Sequence, residues 1–468
     1  MRSVSLKDIA RILSAEYIGS AKIKLRNVGT DSREIKGKDL FFALRGEKYD
    51  GHSFLYDLPG KGVKAAVVER SNSNIKTFRK KYPSFPLIFV DDTLVALGKL
   101  ASWIRSGLDV VAIGITGSTG KTCTKDMLAS ILECENSVTS SKGSFNNEIG
   151  LPLTILSAKE EDRYLVCEVG ARKKGDIRNL TDMLKPQYGI ITNVGITHLQ
   201  IFGSRASIAS AKAELAESLP TTGAIVLNAT NGWGEWIRRR SKAKVVWFGG
   251  RNKNAYRARR IRLDKNGRPS FEIIGPDLEI EVLLNAIGLH QVENALAAAA
   301  CAAELGIKPE TISKGLKEAK ISPWRMDPLK SPGGFTVLND AYNANPDSMK
   351  AALSTLKRLA GKSRSIAVLG GMAELGAESK ACHIEVGKEF VSLDLDILVV
   401  VGENAFDYAR AALLCGARKG SIFKCRDIAE AESVVLSIVE PGDFVLVKGS
   451  RIFGLEKLAC RLANIDLF

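Results

Sequence analysis

The sequence predicts an α/β protein of three domains. Its 468 residues are enough for about two to four domains at roughly 100–200 residues each. Short apolar runs typical of buried strands alternate with segments of helical spacing, a pattern that predicts βαβ units and parallel sheets. The chain shows no internal repeat and no low-complexity linker, and its composition changes near residues 107 and 322. We therefore predict domains at residues 1–107, 108–322 and 323–468.

The composition is that of a globular protein with sizeable cores, at 45% apolar and 25% charged residues. It excludes disorder, a collagen-like chain and a small disulfide scaffold. The longest apolar stretch, Ala295–Ala303, is about half of the roughly 20 residues that a membrane-spanning helix needs. Charges at Lys7, Asp8 and Arg11 interrupt the place where a signal peptide carries its apolar run. We expect a cytoplasmic protein whose eight cysteines, none spaced as C-x-x-C, are reduced.

The net charge of +15 is compatible with nucleic acid, an anionic membrane or small polyanionic substrates. Basic residues form only short clusters, such as Arg238–Arg240 and Arg257–Arg260. There is no long basic tail and no stripe of interleaved aromatic residues. A diffusely basic surface is the simplest interpretation, and we expect neither a nucleic acid nor a membrane partner.

Each predicted domain has its own strands. The first begins with an amphipathic helix that places Leu6, Ile9, Ala10 and Leu13 on one face. The apolar runs that predict strands are Leu40–Leu44, Ala65–Val68 and Leu87–Val90 in the first domain; Val110–Thr116, Leu165–Glu168, Tyr188–Thr192 and Ala224–Leu227 in the second; and Thr336–Leu338, Ile366–Leu369, Ile397–Val401 and Phe444–Val447 in the third. Helical segments at Ser348–Leu359 and Ala429–Ile438 separate strands of the third domain and predict a Rossmann-like, doubly wound fold there.

A glycine-rich loop provides the strongest local signal. The buried run Val110–Thr116 leads directly into Gly117-Ser118-Thr119-Gly120-Lys121-Thr122, and a helical pattern follows. In such a loop, backbone N–H groups and the helix N-terminus bind phosphate, the lysine reaches the β- and γ-phosphates, and the threonine hydroxyl ligates magnesium. The strict P-loop spacing is not met because Ile115 stands where the first glycine belongs. A ligand-free turn is the alternative, but the strand–loop–helix context favours a P-loop ATPase domain on a parallel sheet.

Two further polar residues follow predicted strands. Glu168 ends the run Leu165–Glu168, and His198 comes just after Tyr188–Thr192. The carboxyl ends of parallel strands are where α/β sheets place their ligands, so a carboxylate and an imidazole there could hold a second divalent cation. Magnesium prefers oxygen ligands, and a structural hydrogen bond is the other interpretation of His198.

Motifs along nearly the whole chain resemble those of the Mur ligase family, which builds the peptidoglycan stem peptide. They include Thr30-Asp31-Ser32-Arg33, Asp50-Gly51-His52, Thr116–Thr122, Ser144-Phe145-Asn146-Asn147, Glu168-Val169-Gly170-Ala171, Asn193–His198, Ala211-Lys212-Ala213-Glu214, Asn294-Ala295-Leu296-Ala297, Arg325-Met326, Asp340-Ala341-Tyr342-Asn343, Leu369–Gly376 and Val447-Lys448-Gly449-Ser450-Arg451. The stretch Asn343-Ala344-Asn345-Pro346 resembles that of members that add a dipeptide.

The resemblance implies a reaction. ATP would activate a substrate carboxylate as an acyl phosphate, and an amine would then attack to form an amide. The implied substrates are UDP-N-acetylmuramoyl-tripeptide and D-alanyl-D-alanine, and the implied cofactor is Mg²⁺, in two copies. Because phosphoryl transfer brings two anions together, cations must neutralise both.

The resemblance also implies residue roles. Lys121, Glu168, His198 and Lys212 would be catalytic, and Thr122, Glu168, His198 and a carbamylated Lys212 would ligate metal; an unmodified Lys212 in an ion pair is the alternative. ATP would contact residues 117–122, with Asn294 at the adenine, Asp340 at the ribose and Arg325 at the phosphates. The simpler roles are a helix-surface position for Asn294 and a surface ion pair for Arg325. In the first domain, Ser32 and the stretch from Gly46 to His52 would face the UDP-sugar, while Asn146 and Asn147 would meet the muramoyl peptide.

Two other functions remain open at this point. A folylpolyglutamate synthase would share the P-loop and metal residues, although Asp-Ser-Arg and Asp-Gly-His in the first domain resemble a nucleotide-sugar domain. A P-loop ATPase that depends on nucleic acid would fit the basic charge, and it predicts stimulation by DNA or RNA with a steep salt dependence. We expect a monomer.

Overall fold

The computed structural model describes residues 3–35, 39–46, 49–230 and 232–465. Three large sheets follow one another along the chain, with helices on both faces. The first has five strands in the order β2-β7-β6-β5-β4, all parallel except β2. Its region comprises β1 Val4–Ser5, α1 Leu6–Leu13, β2 Glu16–Ile18, β3 Lys24–Leu25, β4 Val28–Gly29, β5 Leu40–Phe42, β6 Ala65–Glu69, α2 Asn74–Lys81, β7 Leu87–Val90 and α3 Thr93–Ser106.

The second sheet has nine strands in the order β16-β15-β14-β13-β12-β11-β8-β10-β9. Its elements are β8 Val111–Thr116, α4 Lys121–Glu133, β9 Val138–Ser140, α5 Gly150–Ser157, β10 Tyr164–Glu168, α6 Asp176–Leu184, β11 Tyr188–Ile191, α7 Leu199–Phe202, α8 Arg205–Ser218, β12 Ala224–Asn228, α9 Trp233–Arg238, β13 Lys244–Phe248, β14 Ala255–Leu263, β15 Pro269–Gly275, β16 Leu278–Leu283, α10 His290–Glu304 and α11 Pro309–Glu318. Strand β8 pairs in parallel with both β10 and β11. The loops that follow these three strands therefore meet at the carboxyl end of the sheet.

The third sheet has six strands in the order β17-β18-β22-β19-β20-β21 and is parallel except for β17. Its elements are β17 Asp327–Lys330, β18 Thr336–Asn339, α12 Pro346–Ala360, β19 Ser365–Gly370, α13 Ser379–Ser392, β20 Ile397–Val401, α14 Phe406–Leu414, β21 Ile422–Cys425, α15 Ile428–Ile438, β22 Phe444–Lys448 and α16 Glu456–Leu462. Helix α12 begins with a capping box in which Asn345 accepts from the Ser348 backbone N–H. This doubly wound layout is the Rossmann-like fold that the sequence predicts.

The predicted strands all exist, and their ends agree with the structure to within two residues. The sequence interpretation missed the antiparallel extension β14–β16, which widens the second sheet. Strand β16 alternates buried and exposed side chains along its length, the period-two signal of a half-buried strand. The positions of the domain boundaries at 107 and 322 stay predictions.

One hydrophobic core runs between the first and second sheets. It joins the buried side chains of Leu6, Ile9, Leu97, Leu100 and Ile104 to those of Leu151, Ile155, Leu165, Leu180 and Leu184. Helix α3 packs against α5 and α6 in this core. In the described part of the chain, every helix is too short or too polar to cross a membrane.

Candidate active site

The glycine loop between β8 and α4 has a backbone that only glycine adopts easily. Gly117 has φ +153° and Gly120 has φ +78°. A Cβ at Gly117 would lie 1.8 Å from Thr192 Oγ1, and one at Gly120 would lie 2.2 Å from Asn294 Oδ1. Both glycines are therefore required by close neighbours as well as by their dihedral angles.

The end of β11 holds this loop in place. The side-chain oxygen of Asn193 accepts hydrogen bonds from the Ser118 and Thr119 backbone N–H groups, both at 2.9 Å. The Ser118 hydroxyl donates to the Gly195 carbonyl at 2.9 Å, and the Thr192 hydroxyl donates to the Thr119 carbonyl at 2.5 Å. Four side-chain contacts thus fix a loop of six residues before any ligand arrives.

The ammonium group of Lys121 folds back over the loop and donates to the Gly117 carbonyl at 3.0 Å. Burial lowers its pKa; the charge of Glu168 opposes that shift, and the nearby Arg325 adds to it. Lys121, Glu168 and Arg325 therefore share one electrostatic environment. Lys121 begins α4 and Glu168 ends β10, whereas Arg325 lies in the segment just before β17.

Thr122, Glu168, Asn146 and Arg325 form a continuous chain of hydrogen bonds. The Arg325 guanidinium donates to the Thr122 hydroxyl at 2.7 Å, and that hydroxyl donates to Glu168 Oε2 at 2.6 Å. The side-chain amide of Asn146 donates to the other carboxylate oxygen, Glu168 Oε1, at 2.7 Å. Because Glu168 is 1% exposed, these partners are what make a carboxylate tolerable there.

Lys212 and His198 lie beside this chain. Burial lowers the pKa of Lys212 to about 7, and the positive charge of Lys121 adds to the effect. Burial also lowers the pKa of His198, against the opposing charge of Glu374. The Nδ1 atom of His198 contacts a carboxylate oxygen of Glu374, from the segment after β19. The nearest acidic partner of this imidazole thus comes from the third sheet.

Asp340 follows β18 at the carboxyl end of the third sheet. Its Oδ2 atom lies 2.7 Å from the Lys448 ammonium, and its Oδ1 atom accepts from the Met326 backbone N–H at 3.2 Å. Both contacts tie Asp340 to residues that flank the site, since Met326 is the neighbour of Arg325.

Comparison with known proteins identifies this arrangement. Three family models match the chain in order: the Mur ligase family catalytic domain at residues 24–103, the Mur ligase middle domain at 115–302 and the Mur ligase glutamate ligase domain at 324–451. A UDP-N-acetylmuramoyl-tripeptide–D-alanyl-D-alanine ligase of Haemophilus influenzae is 34% identical and covers 99% of this chain and 99% of its own length. The chain belongs to the Mur ligase family.

Solved Mur ligase structures agree with the fold over almost the full length. A crystal structure of MurF from Acinetobacter baumannii matches with a TM-score of 0.86 and 29% identity, covering 99% of both chains. A MurF ligase from Thermotoga maritima in complex with ADP matches with a TM-score of 0.78 and 27% identity, over 94% of this chain and 97% of the other. The three-domain Mur ligase fold is therefore shown for this protein.

The Mur ligase site offers oxygen ligands for magnesium. The Thr122 hydroxyl and a Glu168 carboxylate oxygen lie 2.6 Å apart, and both are groups that Mg²⁺ accepts. In residues 3–35, 39–46, 49–230 and 232–465, no group of three or more His, Cys, Asp or Glu side chains could hold a metal ion. Magnesium that arrives with a nucleotide needs only one or two protein oxygens, because phosphates and water complete its shell. The residues thus fit a nucleotide-borne Mg²⁺. The pair predicted for a second ion is not joined by a contact: Glu168 bonds to Thr122 and Asn146, and His198 contacts Glu374.

Two predicted nucleotide contacts lie inside the site and not on the surface. Asn294 is 8% exposed, donates to Gln291 Oε1 at 2.9 Å and packs on Gly120. Arg325 is half-buried and contacts Thr122 instead of a surface carboxylate. The helix-surface role of Asn294 and the ion-pair role of Arg325 are both wrong.

The residues of the first domain that are predicted to contact the UDP-sugar already have hydrogen-bond partners within the protein. His52 is fully buried; its Nδ1 atom lies 2.6 Å from Asp50 Oδ1, and its Nε2 atom accepts from the Glu69 N–H at 2.9 Å. Ser32 is buried, and its carbonyl accepts from Lys61 at 2.7 Å. Residues 47 and 48 of the stretch from Gly46 to His52 lie outside the described residues.

Asn146 and Asn147 have different partners within the protein. Asn146 holds Glu168, as described above, while the Asn147 side chain accepts from the Gly150 N–H at 2.9 Å, at the start of α5. Asn147 therefore shapes the loop that delivers Asn146. Both lie at the carboxyl end of the sheet, where the P-loop also lies.

Sequence interpretation assigned no role to five residues with contacts at the site. Asn193 and Glu374 are described above, and Trp324, Tyr342 and Arg451 lie around Arg325, where the two guanidinium groups stack on the aromatic rings. Asn193, Tyr342, Glu374 and Arg451 fall in stretches that resemble the family, so a signal for them existed. The motifs alone did not assign their roles, because each role is a contact with a distant part of the chain.

Proposed function

We propose that this protein is an ATP-dependent amide ligase that adds D-alanyl-D-alanine to UDP-N-acetylmuramoyl-tripeptide through an acyl phosphate, in peptidoglycan precursor synthesis. The observation that carries this proposal is the hydrogen-bonded chain from Arg325 through Thr122 to Glu168. It joins the phosphate-binding loop to Arg325, which lies in the segment just before β17, and so connects the region of the second sheet to that of the third. The curated names of the relatives identify both substrates.

In this proposal the P-loop binds the triphosphate of ATP. The α4 N-terminus faces the phosphates with the backbone N–H groups of Gly120, Lys121 and Thr122, because those of Ser118 and Thr119 donate to Asn193. The Lys121 ammonium leaves the Gly117 carbonyl to contact the phosphates. Arg325, which lies close enough to affect the pKa of Lys121, supplies a second positive charge. Two cations near the γ-phosphate lower the repulsion that an approaching carboxylate meets.

Magnesium, when bound, would neutralise phosphate charge and orient the γ-phosphate for in-line transfer. Thr122 and Glu168 would hold one ion. The second ion that the family resemblance implies would be held by His198, Glu168 and a carbamylated Lys212, and His198 would then exchange its contact with Glu374 for that ion. Lys212 suits carbamylation because its pKa of about 7 leaves much of the amine unprotonated near neutral pH. The modification replaces a cation next to Lys121 with an oxygen ligand of opposite charge.

The other substrates would occupy the remaining surfaces. We place the UDP-sugar on the first domain around Ser32 and the stretch that contains His52, and the muramoyl peptide along the loop of Asn146 and Asn147. The adenine and ribose of ATP would lie against Asn294 and Asp340, so the nucleotide would contact both the second and the third domain. A cytoplasmic location and a monomeric state stay predictions.

A phosphate-release assay tests the proposal. Purified protein is given ATP and Mg²⁺ with neither, one or both peptide substrates, and the products are separated by chromatography. We expect phosphate and a new amide-linked product only when both substrates are present. Phosphate release without D-alanyl-D-alanine and no peptide product would reject the ligase function. Stimulation by DNA or RNA would instead support the nucleic-acid-dependent ATPase.

A further inference from the structure

The backbone on both sides of Arg325 is in a costly conformation. Trp324 has φ +63° and Met326 has φ +59°. Bulky side chains rarely adopt this left-handed region, and it persists only where surrounding contacts enforce it. The segment of residues 324–326 is thus held against its own preference at the point where Arg325 reaches Thr122.

Backbone hydrogen bonds account for part of this restraint. The Trp324 N–H donates to the Asp327 carboxylate, and the Met326 N–H donates to Asp340. They fix the main chain, but the direction of the Arg325 side chain needs a support of its own.

Stacked aromatic rings and guanidinium groups provide that support. Arg325 lies over the Tyr342 ring at 4.2 Å from its centroid. Arg451 lies 4.3 Å from the Trp324 ring and 5.6 Å from the Tyr342 ring. Guanidinium groups stack on aromatic faces with a favourable electrostatic term. Arg451 therefore connects the residue before Arg325 to the ring on which Arg325 lies.

The segment of residues 324–326 is supported by Lys448, through Asp340, and by Arg451, and both of these residues lie at the end of β22. Lys448 closes β22 and pairs with Asp340, while Arg451 opens the 3₁₀ helix Arg451–Phe453 three residues later. The Tyr342 hydroxyl also contacts the Ser144 hydroxyl, in the loop that carries Asn146. The ring of Tyr342 thus lies between Arg325 and the loop that holds Glu168.

We propose that Arg451 is a positioning residue that holds Arg325 in its phosphate-contacting place through Trp324 and Tyr342. This inference rests on the proposed function only in that Arg325 contacts the phosphates of ATP. Arg451 itself touches neither Thr122 nor Glu168 in the described contacts. Its effect on the nucleotide would pass through Arg325.

The first experiment compares Arg451→Ala and Arg451→Lys with the parent. We expect Arg451→Ala to weaken binding of a non-hydrolysable ATP analogue about tenfold, by calorimetry, and to leave the melting temperature unchanged because Arg451 is exposed. Arg451→Lys keeps the charge but loses the planar group, so its affinity should fall between the two. The matched control is Arg240→Ala, which removes a guanidinium that lies 3.9 Å from the Trp236 ring, away from the site. Unchanged analogue affinity in Arg451→Ala would overturn the proposal.

A double-mutant cycle then tests the route. If Arg451 acts through Arg325, the double variant Arg325→Ala/Arg451→Ala binds the analogue no more weakly than Arg325→Ala alone. Multiplicative losses would mean that Arg451 acts independently and would overturn the positioning role. Because the readout is nucleotide binding, a parent protein that binds the analogue but forms no peptide product would reject the proposed ligation and leave this test valid.

Discussion

Lys448 and Asp340 form an ion pair that is nearly closed to solvent. The ammonium nitrogen lies 2.7 Å from Asp340 Oδ2, and the exposed fractions of the two side chains are 3% and 17%. The same ammonium donates to the Asn343 carbonyl at 3.0 Å. This pair fixes Asp340, which in turn accepts from the backbone next to Arg325.

Removing the cation of this pair should destabilise the fold. Lys448→Met leaves the Asp340 carboxylate buried without its partner, at a cost of about 3–5 kcal/mol in the free energy of unfolding. Urea denaturation measures the change. The control is Lys350→Met, whose pair with Glu385 has side chains 39% and 58% exposed and should be worth less than about 1 kcal/mol. Equal losses in the two variants would contradict the predicted importance of burial.

Removing the P-loop ammonium should stop the chemistry but not the binding of the sugar nucleotide. Lys121→Ala is expected to lower kcat at least about 100-fold, because charge on the transferring phosphoryl group loses its lysine. Titration with the UDP-sugar substrate should give an affinity close to that of the parent. The exposed Lys99→Ala serves as the control. Parallel loss of turnover and UDP-sugar binding would indicate misfolding instead.

The imidazole of His198 is expected to influence the metal requirement. His198→Ala should raise the Mg²⁺ concentration needed for half-maximal phosphate release, because a proposed ligand of the second ion is lost. A Mg²⁺ titration at saturating ATP measures the shift. An unchanged Mg²⁺ dependence would show that His198 acts only through its contact with Glu374.

The proposed carbamylation of Lys212 can be tested directly. After incubation with ¹³C-bicarbonate, the parent should show a carbamate resonance by NMR that grows between pH 6 and pH 8, because the amine loses its proton near pH 7. Lys212→Met should lack this signal, whereas the exposed control Lys317→Met should keep it. A parent without the signal would leave Lys212 as an unmodified amine.

The buried His383 should make the free energy of unfolding sensitive to acid. Burial lowers the pKa of this histidine below its usual 6.5, and its Nε2 atom accepts from the Met372 N–H at 3.0 Å. The unfolded chain therefore binds the proton more readily, and stability falls as the pH drops below about 6.5, by up to about 1.4 kcal/mol per pH unit. Urea unfolding between pH 5 and pH 8 should show a smaller slope for His383→Gln than for the parent. Identical slopes would exclude this group.

The fold was predictable where the signal is local. The run that became Val111–Thr116 is apolar, short and followed at once by glycine, so it indicated a buried parallel strand and a phosphate loop without any tertiary information. Strand β16 has an equally local signal, because buried Leu278, Ile280 and Val282 alternate with exposed residues. The structure therefore adds an antiparallel extension that the pattern could have predicted.

The site was less predictable because its contacts join distant residues. Arg325 and Thr122 are 203 positions apart in the sequence, and no periodicity relates them. The family resemblance named Arg325, Glu168 and Thr122, but the stack of Arg451 on Trp324 depends on the end of β22 meeting the segment before β17. Glu374 reaches His198 in the same way, from a different sheet.

The shared core beneath α3 has a practical consequence for anyone who divides this protein. A fragment that ends at residue 107 would expose Leu97, Leu100 and Ile104 to solvent. The complementary fragment would expose Leu151 and Ile155. Such pieces are expected to aggregate when expressed separately. A cut near residue 322 leaves this core intact, so a fragment with the first two sheets is expected to keep the proposed UDP-sugar site in a folded setting.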